Sequence, residues 1–261
     1  MVERRIELVE EAGSTNALAL EALNAGVDAG YVLVADRQVA GRGRRRNGEG
    51  RKPWFSPGGL NLYMSVVLRP AVPVGKSAAI TLAVGAQLVT WLRDHSAVEV
   101  ALKWPNDLYV GPRKLGGILT EAVSGRQGLE GLVVGVGLNI NVERDHFPDE
   151  LRDRATSLRE ERGERLDRLS MVGPMSQAIV EAGQRFEDAG LTPFMEDLQA
   201  YDWLRGKPLW AEVDGREQRG VADGIGAQGG LMVSLEDGQR REIISGEVRW
   251  IDDESAQPGE S

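Results

Sequence analysis

The chain of 261 residues contains no cysteine, which excludes disulfides, thiolate metal sites and a cysteine nucleophile. Histidine is scarce as well, because His95 and His146 are the only two in the sequence. A histidine-rich metal site is therefore excluded, and a Ser-His-Asp triad has few candidates. The lack of cysteine fits a cytoplasmic location, which is the location we expect.

Long apolar runs and excess positive charge are also missing. The N-terminal stretch MVERRIELVEE lacks the apolar core of a signal peptide, and no run approaches the ~20 apolar residues that span a membrane. The net charge is −9, so a broad basic surface for a polyanion is not expected. We therefore expect no membrane and no DNA among the partners of this chain.

The pattern of apolar and polar residues predicts an α+β domain over residues 1–203. Its predicted strands cover residues 2–9, 31–35, 61–69, 98–103, 114–123 and 131–142. Its predicted helices run from Ser14-Thr15-Asn16 to Gly26, and over residues 76–94, 169–189 and 193–203. Residues 36–59 are polar and glycine-rich, which indicates a long loop.

The C-terminal part has a different pattern, with short apolar segments separated by Gly and Asp turns. The spacing predicts a small all-β barrel over residues 204–251. Its predicted strands are residues 207–213, 217–224, 230–235, 239–244 and 247–251. The last residues, 252–261, have the composition of a disordered acidic tail.

The segment from Asp36 to Lys52 carries seven basic and two acidic residues, in a protein whose net charge is negative. Guanidinium groups bind phosphate or carboxylate through paired hydrogen bonds, and interleaved glycines let a ligand approach the backbone closely. The segment is therefore a candidate phosphate clamp, or alternatively a solvated basic loop. It lacks the Gly-x4-Gly-Lys-Ser/Thr spacing of a P-loop.

Lys103 ends a predicted buried strand and begins the pentad Lys103-Trp104-Pro105-Asn106-Asp107. A lysine in such a position needs an anionic partner, because burying an unpaired charge is costly. The partner is either a ligand, whose developing charge the lysine would stabilise, or Asp107 or a glutamate at the strand end.

Two glycine-rich strands are further candidates for ligand contact. The adjacent Gly116 and Gly117 indicate either a plain bulge or a place where a ligand lies on the backbone. In the second segment, Gly135 to Asn141, glycines alternate with apolar residues and leave one strand face bare. Asn139 and Asn141 share a face there, and they either bind a ligand or satisfy loop backbone.

The order of these motifs resembles that of the biotin protein ligases. The matching segments are Ser14-Thr15-Asn16, Gln38-Val39-Ala40-Gly41-Arg42-Gly43-Arg44, Lys103 to Asp107, Lys114 to Leu119, Gly135 to Asn139 and Ala155-Thr156-Ser157-Leu158. Gly224 to Leu231 is similar to part of the small SH3-like barrel of that family. The likeness covers about residues 8–251.

The resemblance implies a catalytic domain of the biotin/lipoate ligase type, which is class II synthetase-like, with a mixed sheet and a C-terminal SH3-like β-barrel. It also implies a reaction in two steps. The carboxylate of biotin attacks the α-phosphate of ATP, with Mg²⁺, and gives biotinyl-5′-adenylate and pyrophosphate. A lysine of a biotin carboxyl carrier protein or domain, in a biotin-dependent carboxylase, then attacks the mixed anhydride. No enzyme nucleophile is needed, so catalysis would rest on positioning and electrostatics.

The same resemblance assigns roles to individual residues. The catalytic group is Lys103, Arg42 and Arg44. The biotin-binding group is Ser14, Thr15, Asn16, Gln38, Gly41, Arg42, Gly43, Arg44, Lys103, Gly116 and Gly117. The ATP-binding group is Arg42, Arg44, Trp54 (over the adenine), Lys103, Asn106 and Asn139, and no metal ligand is assigned.

The chain departs from the family pattern in two places. Extra residues lie between Arg44 and Trp54, which makes the equivalence of Arg51 and Trp54 to family residues an open assignment. The sequence also begins almost at the catalytic domain, so we expect a monofunctional ligase without the DNA-binding helix-turn-helix of the repressor-ligases. Family members often pair through sheet edges, which makes a homodimer possible.

Two other functions remain open at this point. The first is a lipoate-type protein ligase, which the Gly-Arg-Gly-Arg and Lys-Trp-Pro-Asn-Asp motifs disfavour. The second is a non-catalytic biotin sensor, which the presence of Lys103 disfavours. A DNA-binding regulator is a more distant alternative, and it would show salt-dependent binding to duplex DNA.

Overall fold

The structure is a computed structural model, and it describes residues 5–46, 49–125, 128–213, 216–244, 246 and 248–251. The predicted acidic tail, 252–261, lies outside the described residues. No helix in the part of the chain that the structure describes is long and apolar enough to cross a membrane.

The predicted mixed α+β domain is confirmed and is built on a seven-stranded sheet. The strands of this sheet, in chain order, are β1 (Ile6–Ala12), β2 (Val32–Gln38), β5 (Leu62–Leu68), β6 (Val100–Lys103), β7 (Asp107–Val110), β8 (Arg113–Gly125) and β9 (Gly128–Leu138). Strands β3 (Arg42–Arg46) and β4 (Glu49–Pro53), which lie between β2 and β5 in the chain, form a separate hairpin. They lie in the order β1-β2-β5-β9-β8-β7-β6. β1 and β2 are parallel and the other neighbours are antiparallel.

Helices cover this sheet on both faces. They are α1 (Thr15–Asn24), α2 (Ser77–Ser96), α3 (Asp149–Arg152), α4 (Leu158–Arg162), α5 (Val172–Ala189) and α6 (Met195–Ala200). The long helices α2 and α5 contribute to the main core, whereas α1 packs on the opposite face against Leu33, Val67 and Val133. Because α1 is short, it covers only part of that face, and the rest is available to other groups.

Strand β5 shows how the sequence produces this arrangement. Side chains alternate between the two faces of a strand, so Leu62, Met64 and Val66 enter the main core. Tyr63, Ser65 and Val67 point to the α1 face, yet all seven residues of the strand are buried. A strand that is covered on both faces usually has a continuous apolar sequence. The polar Ser65 within β5 therefore indicates a polar site on the α1 face.

The end of α1 follows the sequence prediction. The helix stops at Asn24, and Gly26 follows with φ of +91°, a conformation that side chains with a Cβ rarely adopt. At the other end Ser14 is the N-cap residue with an extended backbone, but its side chain makes no capping hydrogen bond. The predicted start of the helix at Ser14-Thr15-Asn16 is therefore confirmed, without a hydrogen bond from the Ser14 side chain.

The predicted long loop over residues 36–59 is also wrong in part. β2 continues to Gln38, and Arg42–Arg46 pairs with Glu49–Pro53 as an antiparallel hairpin with irregular register. Residues 47 and 48 lie outside the described residues. The sequences of the two arms, RGRRR and EGRKP, have no apolar alternation that would indicate a strand, so composition alone did not separate strand from loop.

The C-terminal strands are confirmed as β10 (Pro208–Val213), β11 (Arg216–Ile225), β12 (Leu231–Leu235), β13 (Arg240–Ile243) and β14 (Val248–Trp250). They form one antiparallel sheet in the order β13-β12-β11-β10-β14. Within the described residues no ladder joins β13 to β14, so closure into an SH3-like barrel stays a prediction. The apolar residues Leu209, Ala222 and Val233 of this sheet belong to the main core, so the two sheets share one hydrophobic interior.

Candidate active site

The part of the sheet face that α1 leaves uncovered has a floor set by strand register. Lys103, Asp107, Gly117, Gly137 and Tyr63 are Cα partners on five neighbouring strands, so their side-chain positions share this face. Neighbouring strands lie about 4.8 Å apart, so the row extends over roughly 19 Å. This length suits an elongated ligand that lies across the strands.

Glycines in and beside this row make room for the side chains that lie above the sheet. A Cβ on Gly137 would lie 2.7 Å from Nε1 of Trp54, and a Cβ on Gly135 would collide with the side chain of Asn16. Gly117 lies in the same row, where a Cβ would be 3.2 Å from Oδ1 of Asp107. Any larger residue at Gly135 or Gly137 would displace Asn16 or Trp54 from the groove.

Gly116 lies on the other face of the sheet. Its Cα partners are Leu108 and Leu138, both in the main core, and a Cβ here would lie 2.6 Å from the carbonyl oxygen of Gly137. Close strand packing therefore explains why this position has no side chain, and a contact of Gly116 with a ligand stays a prediction.

One end of the groove, the polar end, consists of Thr15, Asn16, Gln38 and Ser65. The backbone N–H and the hydroxyl of Thr15 donate to Oε1 of Gln38, at 2.9 and 3.2 Å. The hydroxyl oxygen of Ser65 lies 2.8 Å from Oγ1 of Thr15 and 2.7 Å from Oδ1 of Asn16. Ser14 is also buried here, at 6% exposure. The structure thus brings the predicted biotin-binding side chains together in a neutral hydrogen-bonded cluster.

Glu121 connects this cluster to the arginine hairpin. Asn16 donates through Nδ2 to the carbonyl of Leu119 and to Oε2 of Glu121, at 3.0 and 2.8 Å. The other carboxylate oxygen of Glu121 is 4.0 Å from Nη2 of Arg42. Sequence reasoning missed Ser65 and Glu121 as site residues. A lone polar residue inside an apolar strand was the available signal for Ser65.

The hairpin places Arg42 and Arg44 differently. Arg42 is partly buried beside the groove, and its Nε is a buried donor without a hydrogen-bond partner. Arg44 is exposed and donates through Nη2 to the carbonyl of Gly246 in the C-terminal sheet, at 2.7 Å. The structure therefore brings Arg42 to the site and Arg44 to a neighbouring turn.

The base of the hairpin is closely packed. A Cβ on Gly41 would lie 2.6 Å from the hydroxyl of Ser56 and 3.1 Å from Nε2 of Gln38. Gly41 does not have a positive φ, so close approach rather than backbone freedom explains this glycine. Gly43 lies in β3, half-buried.

Trp54 leaves the hairpin and covers the floor at Gly137. Its backbone N–H donates to the carbonyl of Gly41, and its Nε1 is buried without a partner. The ammonium of Lys114 lies 5.2 Å from the ring centroid and also forms a salt bridge with Asp107, at 2.6 Å. Trp54, which is predicted to cover the adenine, therefore lies next to the ammonium of Lys114 and above Gly137 of β9.

The other end of the groove, the cationic end, consists of Lys103, Asp107 and Lys114. Nζ of Lys103 is 3.5 Å from the hydroxyl of Tyr109 and lies near the rings of Tyr109 and Trp203. Burial, followed by the charge of Asp107, raises the pKa of Tyr109 to about 12, so the phenol beside Lys103 is neutral near pH 7. Lys103 is also the last residue of β6, and it is the Cα partner of Asp107 on β7. This backbone position agrees with the alternative of a strand-end lysine next to Asp107.

The predicted nucleotide ligands Asn106 and Asn139 make contacts within the protein. Nδ2 of Asn106 donates to the carbonyl of Ile118 at 2.7 Å. Asn139 accepts from Asn61 and donates to the carbonyl of Thr156, and Asn141 bonds the backbone of Leu166 through both amide atoms. Both asparagines therefore hydrogen-bond to loop backbone, which was the second of the two possibilities for Asn139 and Asn141. A nucleotide contact of Asn106 or Asn139 stays a prediction.

The donor set fits an anionic ligand with a planar group. The buried Nε of Arg42 and Nε1 of Trp54 are donors that call for an acceptor, and an N–H without a partner in the interior costs about 1–3 kcal/mol. Within the residues that the structure describes, no group of three or more His, Asp or Glu could hold a metal ion. The groove can therefore hold a neutral polar head group at one end and negative charge at the other.

Comparison with known proteins gives a consistent result. Residues 9–139, about half of the chain, match the model of the biotin/lipoate A/B protein ligase family. The chain is 32% identical to the biotin–[acetyl-CoA-carboxylase] ligase of Mycobacterium tuberculosis, over 93% of this chain and 87% of the relative. It is 31% identical to the bifunctional ligase/repressor BirA of Bacillus spizizenii, over 90% of this chain and 70% of the relative.

Solved structures with the same fold include the biotin protein ligase from Aquifex aeolicus in complex with biotin and ATP. That structure superposes with a TM-score of 0.77 at 28% identity, and the match covers 95% of this chain and 99% of the Aquifex chain. The fold similarity therefore includes both sheets and the groove between α1 and β6.

Proposed function

This chain belongs to the biotin/lipoate A/B protein ligase family, and we propose that its groove activates biotin with ATP and passes it to a lysine of a carrier protein. The observation that carries the proposal is the pairing of a neutral polar end with a cationic end on one face of the sheet, with Trp54 over the glycine between them. Biotin combines a neutral ureido ring with a carboxylate, and the adenylate adds a phosphate and a planar base.

In the first step, a carboxylate oxygen of biotin attacks the α-phosphorus of ATP, and the bond to the leaving pyrophosphate breaks. The hydrogen-bonded Thr15, Gln38 and Ser65 would orient the ureido ring, with Ser14 and Asn16 in support. Lys103 would stabilise the charge on the carboxylate and α-phosphate, because a fixed cation acts most strongly where charge develops. Arg42 would bind phosphate, and Trp54 would cover the adenine.

In the second step, the ε-amine of the acceptor lysine attacks the carbonyl of the mixed anhydride and AMP leaves, while the amine loses a proton. The names of the relatives point to a carrier domain of a biotin-dependent carboxylase as the acceptor. The Mg²⁺ that accompanies ATP would be bound mainly through the phosphates. A homodimer and a cytoplasmic location remain part of the proposal.

The test is pyrophosphate release from ATP with biotin, with lipoate and with neither. Release with biotin alone, followed by transfer of labelled biotin to a carrier domain, is the expected result. Release with lipoate alone would indicate a lipoate ligase instead. Tight biotin binding without pyrophosphate release would indicate a biotin sensor and contradict the roles of Lys103 and Arg42.

A further inference from the structure

A cluster of aromatic rings lies against the ammonium of Lys103 at the cationic end. Nζ of Lys103 is 5.0 Å from the ring centroid of Tyr109 and 5.2 Å from that of Trp203. The two rings contact one another, with centroids 4.7 Å apart. The two distances from Nζ of Lys103 to the ring centroids are within the range in which a ring attracts a cation.

Trp203 is held in place by groups from several parts of the chain. Its backbone N–H donates to the carbonyl of Leu102, and Leu102 in turn donates to the carbonyl of Tyr201, which fixes the segment along the edge of β6. Its indole Nε1 donates to the carbonyl of Gly111 at 2.6 Å. The ring is 7% exposed and is therefore a rigid surface next to Lys103.

The C-terminal sheet supports the same ring. Trp250 of β14 meets Trp203 edge-on, with centroids 5.0 Å apart and planes at 82°. Nζ of Lys207 lies 3.2 Å from the centroid of the Trp203 ring. The position of this indole therefore depends on residues before and within the second sheet as well as on β6.

We propose that Trp203, with Tyr109, is a positioning residue for adenylation, and that through it the C-terminal sheet takes part in the chemistry of the groove. This inference rests on the proposed ligase function and on the role of Lys103 in it. A lysine side chain is flexible, and ordering it costs rotamer entropy. The ring face of Trp203 attracts the ammonium without itself accepting a hydrogen bond from it, whereas the hydroxyl of Tyr109, 3.5 Å from Nζ, accepts one. A bound carboxylate and phosphate also accept N–H donors of this group, so Trp203 orders the lysine without competing with them.

Two substitutions at position 203 distinguish the effect of the aromatic ring from the effect of side-chain volume. Trp203→Phe keeps an aromatic face, whereas Trp203→Leu keeps an apolar side chain without one. Trp91→Leu is the matched control, because Trp91 stacks on His95 at the C-terminal part of α2. We expect Trp203→Leu to lower single-turnover adenylate formation on the order of tenfold, Trp203→Phe to lower it less than about threefold, and Trp91→Leu to leave it unchanged.

The same substitution in a Lys103→Ala background distinguishes positioning from general damage. If Trp203 acts through Lys103, Trp203→Leu lowers the residual rate of Lys103→Ala less than about twofold. An equal loss in both backgrounds would overturn the proposal. Site-specific fluorination of the Trp203 ring weakens its attraction for cations at nearly constant shape, and it provides the test if the leucine variant does not fold. Rates that do not fall with fluorination would contradict the inference.

A measurement without turnover separates this inference from the proposed function. The chain has only five lysines, so ¹³C-dimethylated lysine signals can be resolved individually by NMR. We expect the signals of Lys103 and Lys207 to show ring-current shifts that Trp203→Leu removes and Trp91→Leu retains. An unshifted Lys103 signal in the unsubstituted protein would refute the contact, whereas a shifted signal without biotin-dependent pyrophosphate release would refute the ligase function alone.

Discussion

The two ends of the groove differ in how they are built. At the polar end, hydroxyl and amide groups of α1, β2 and β5 bond to one another, and most of the side chains involved are buried. At the cationic end, Lys103 and Lys114 lie against aromatic rings and Asp107, with support from the second sheet. From this difference we expect the polar end to bind a neutral part of the ligand through shape and hydrogen bonds, and the cationic end to act on the ligand's negative charge.

The largest effect is expected from removing the lysine at the cationic end. Lys103→Ala should lower adenylate formation by about 100-fold or more, because a fixed cation stabilises the transition state more than the bound substrate. Biotin affinity, measured by calorimetry, should change far less, and the unfolding transition should remain cooperative. Adenylation at the wild-type rate would remove Lys103 from the mechanism.

Paired substitutions in the hairpin come next. Arg42→Ala should raise the KM for ATP or lower kcat by about 10- to 100-fold, since hydrogen bonds to charged groups are worth about 1.5–3 kcal/mol. Arg44→Ala should cost less than about tenfold, because its guanidinium contacts Gly246 outside the groove. Steady-state kinetics of the two variants, side by side, test this difference. Equal losses would show that Arg44 also reaches the phosphates in the reacting complex.

A substitution at the polar end should change the affinity for biotin rather than the rate of the reaction. Ser65→Ala removes the hydroxyl between Thr15 and Asn16, so Oδ1 of Asn16 loses this donor while Thr15 keeps its bond to Gln38. A buried polar group that loses its partner costs about 1–3 kcal/mol, and we expect the cost to appear in the ordering of the ligand site. We expect about a tenfold weaker Kd for biotin at nearly unchanged kcat. Ser77→Ala, at an exposed hydroxyl that bonds Val74, is the control. A loss of kcat with unchanged Kd would contradict the division between the two ends.

The smallest effect concerns Asp202, which bridges to β6 next to Trp203. Burial raises the pKa of its carboxyl to about 6, and its Oδ2 has no partner. A carboxyl whose pKa is raised on folding binds more protons in the folded state, so its contribution to stability is lost as the pH rises from about 4 to about 6. Asp202→Asn should therefore raise the free energy of unfolding at pH 7 by about 1 kcal/mol.

Urea unfolding at pH 4 and pH 7 checks this expectation. The stabilisation of the asparagine variant should be present at pH 7 and absent at pH 4, where the wild-type carboxyl is protonated in the folded protein. Asn keeps the oxygen that accepts from the backbone N–H of Leu204. A constant difference across this pH range would show that the carboxyl does not titrate as described.

Much of the fold followed from local pattern. The glycine after α1, the paired central strands β8 and β9 and the five short C-terminal strands were readable because period and turn residues are local properties. The arginine hairpin was not, since repeated arginines carry no period that distinguishes strand from loop.

The candidate site shows the same division. The motifs at Thr15, Gln38, Arg42 and Lys103 came from the sequence, and the structure places these residues around one surface. Sequence reasoning did not separate Gly116 from Gly117, because adjacent residues in a strand face opposite sides and only register decides which side is the groove. Nor did it single out Glu121, whose partners Asn16 and Arg42 are far away along the chain.

The sequence by itself determined the order of elements, the family of the chain and the residue types of the candidate site, because these depend on local periodicity and on spacing along the chain. Only the tertiary structure decided that Ser65 joins Thr15 and Asn16, that Arg44 turns to the second sheet and that Trp203 lies beside Lys103. These contacts join distant parts of the chain, and strand register and packing of the shared core, rather than neighbouring residues, set their geometry.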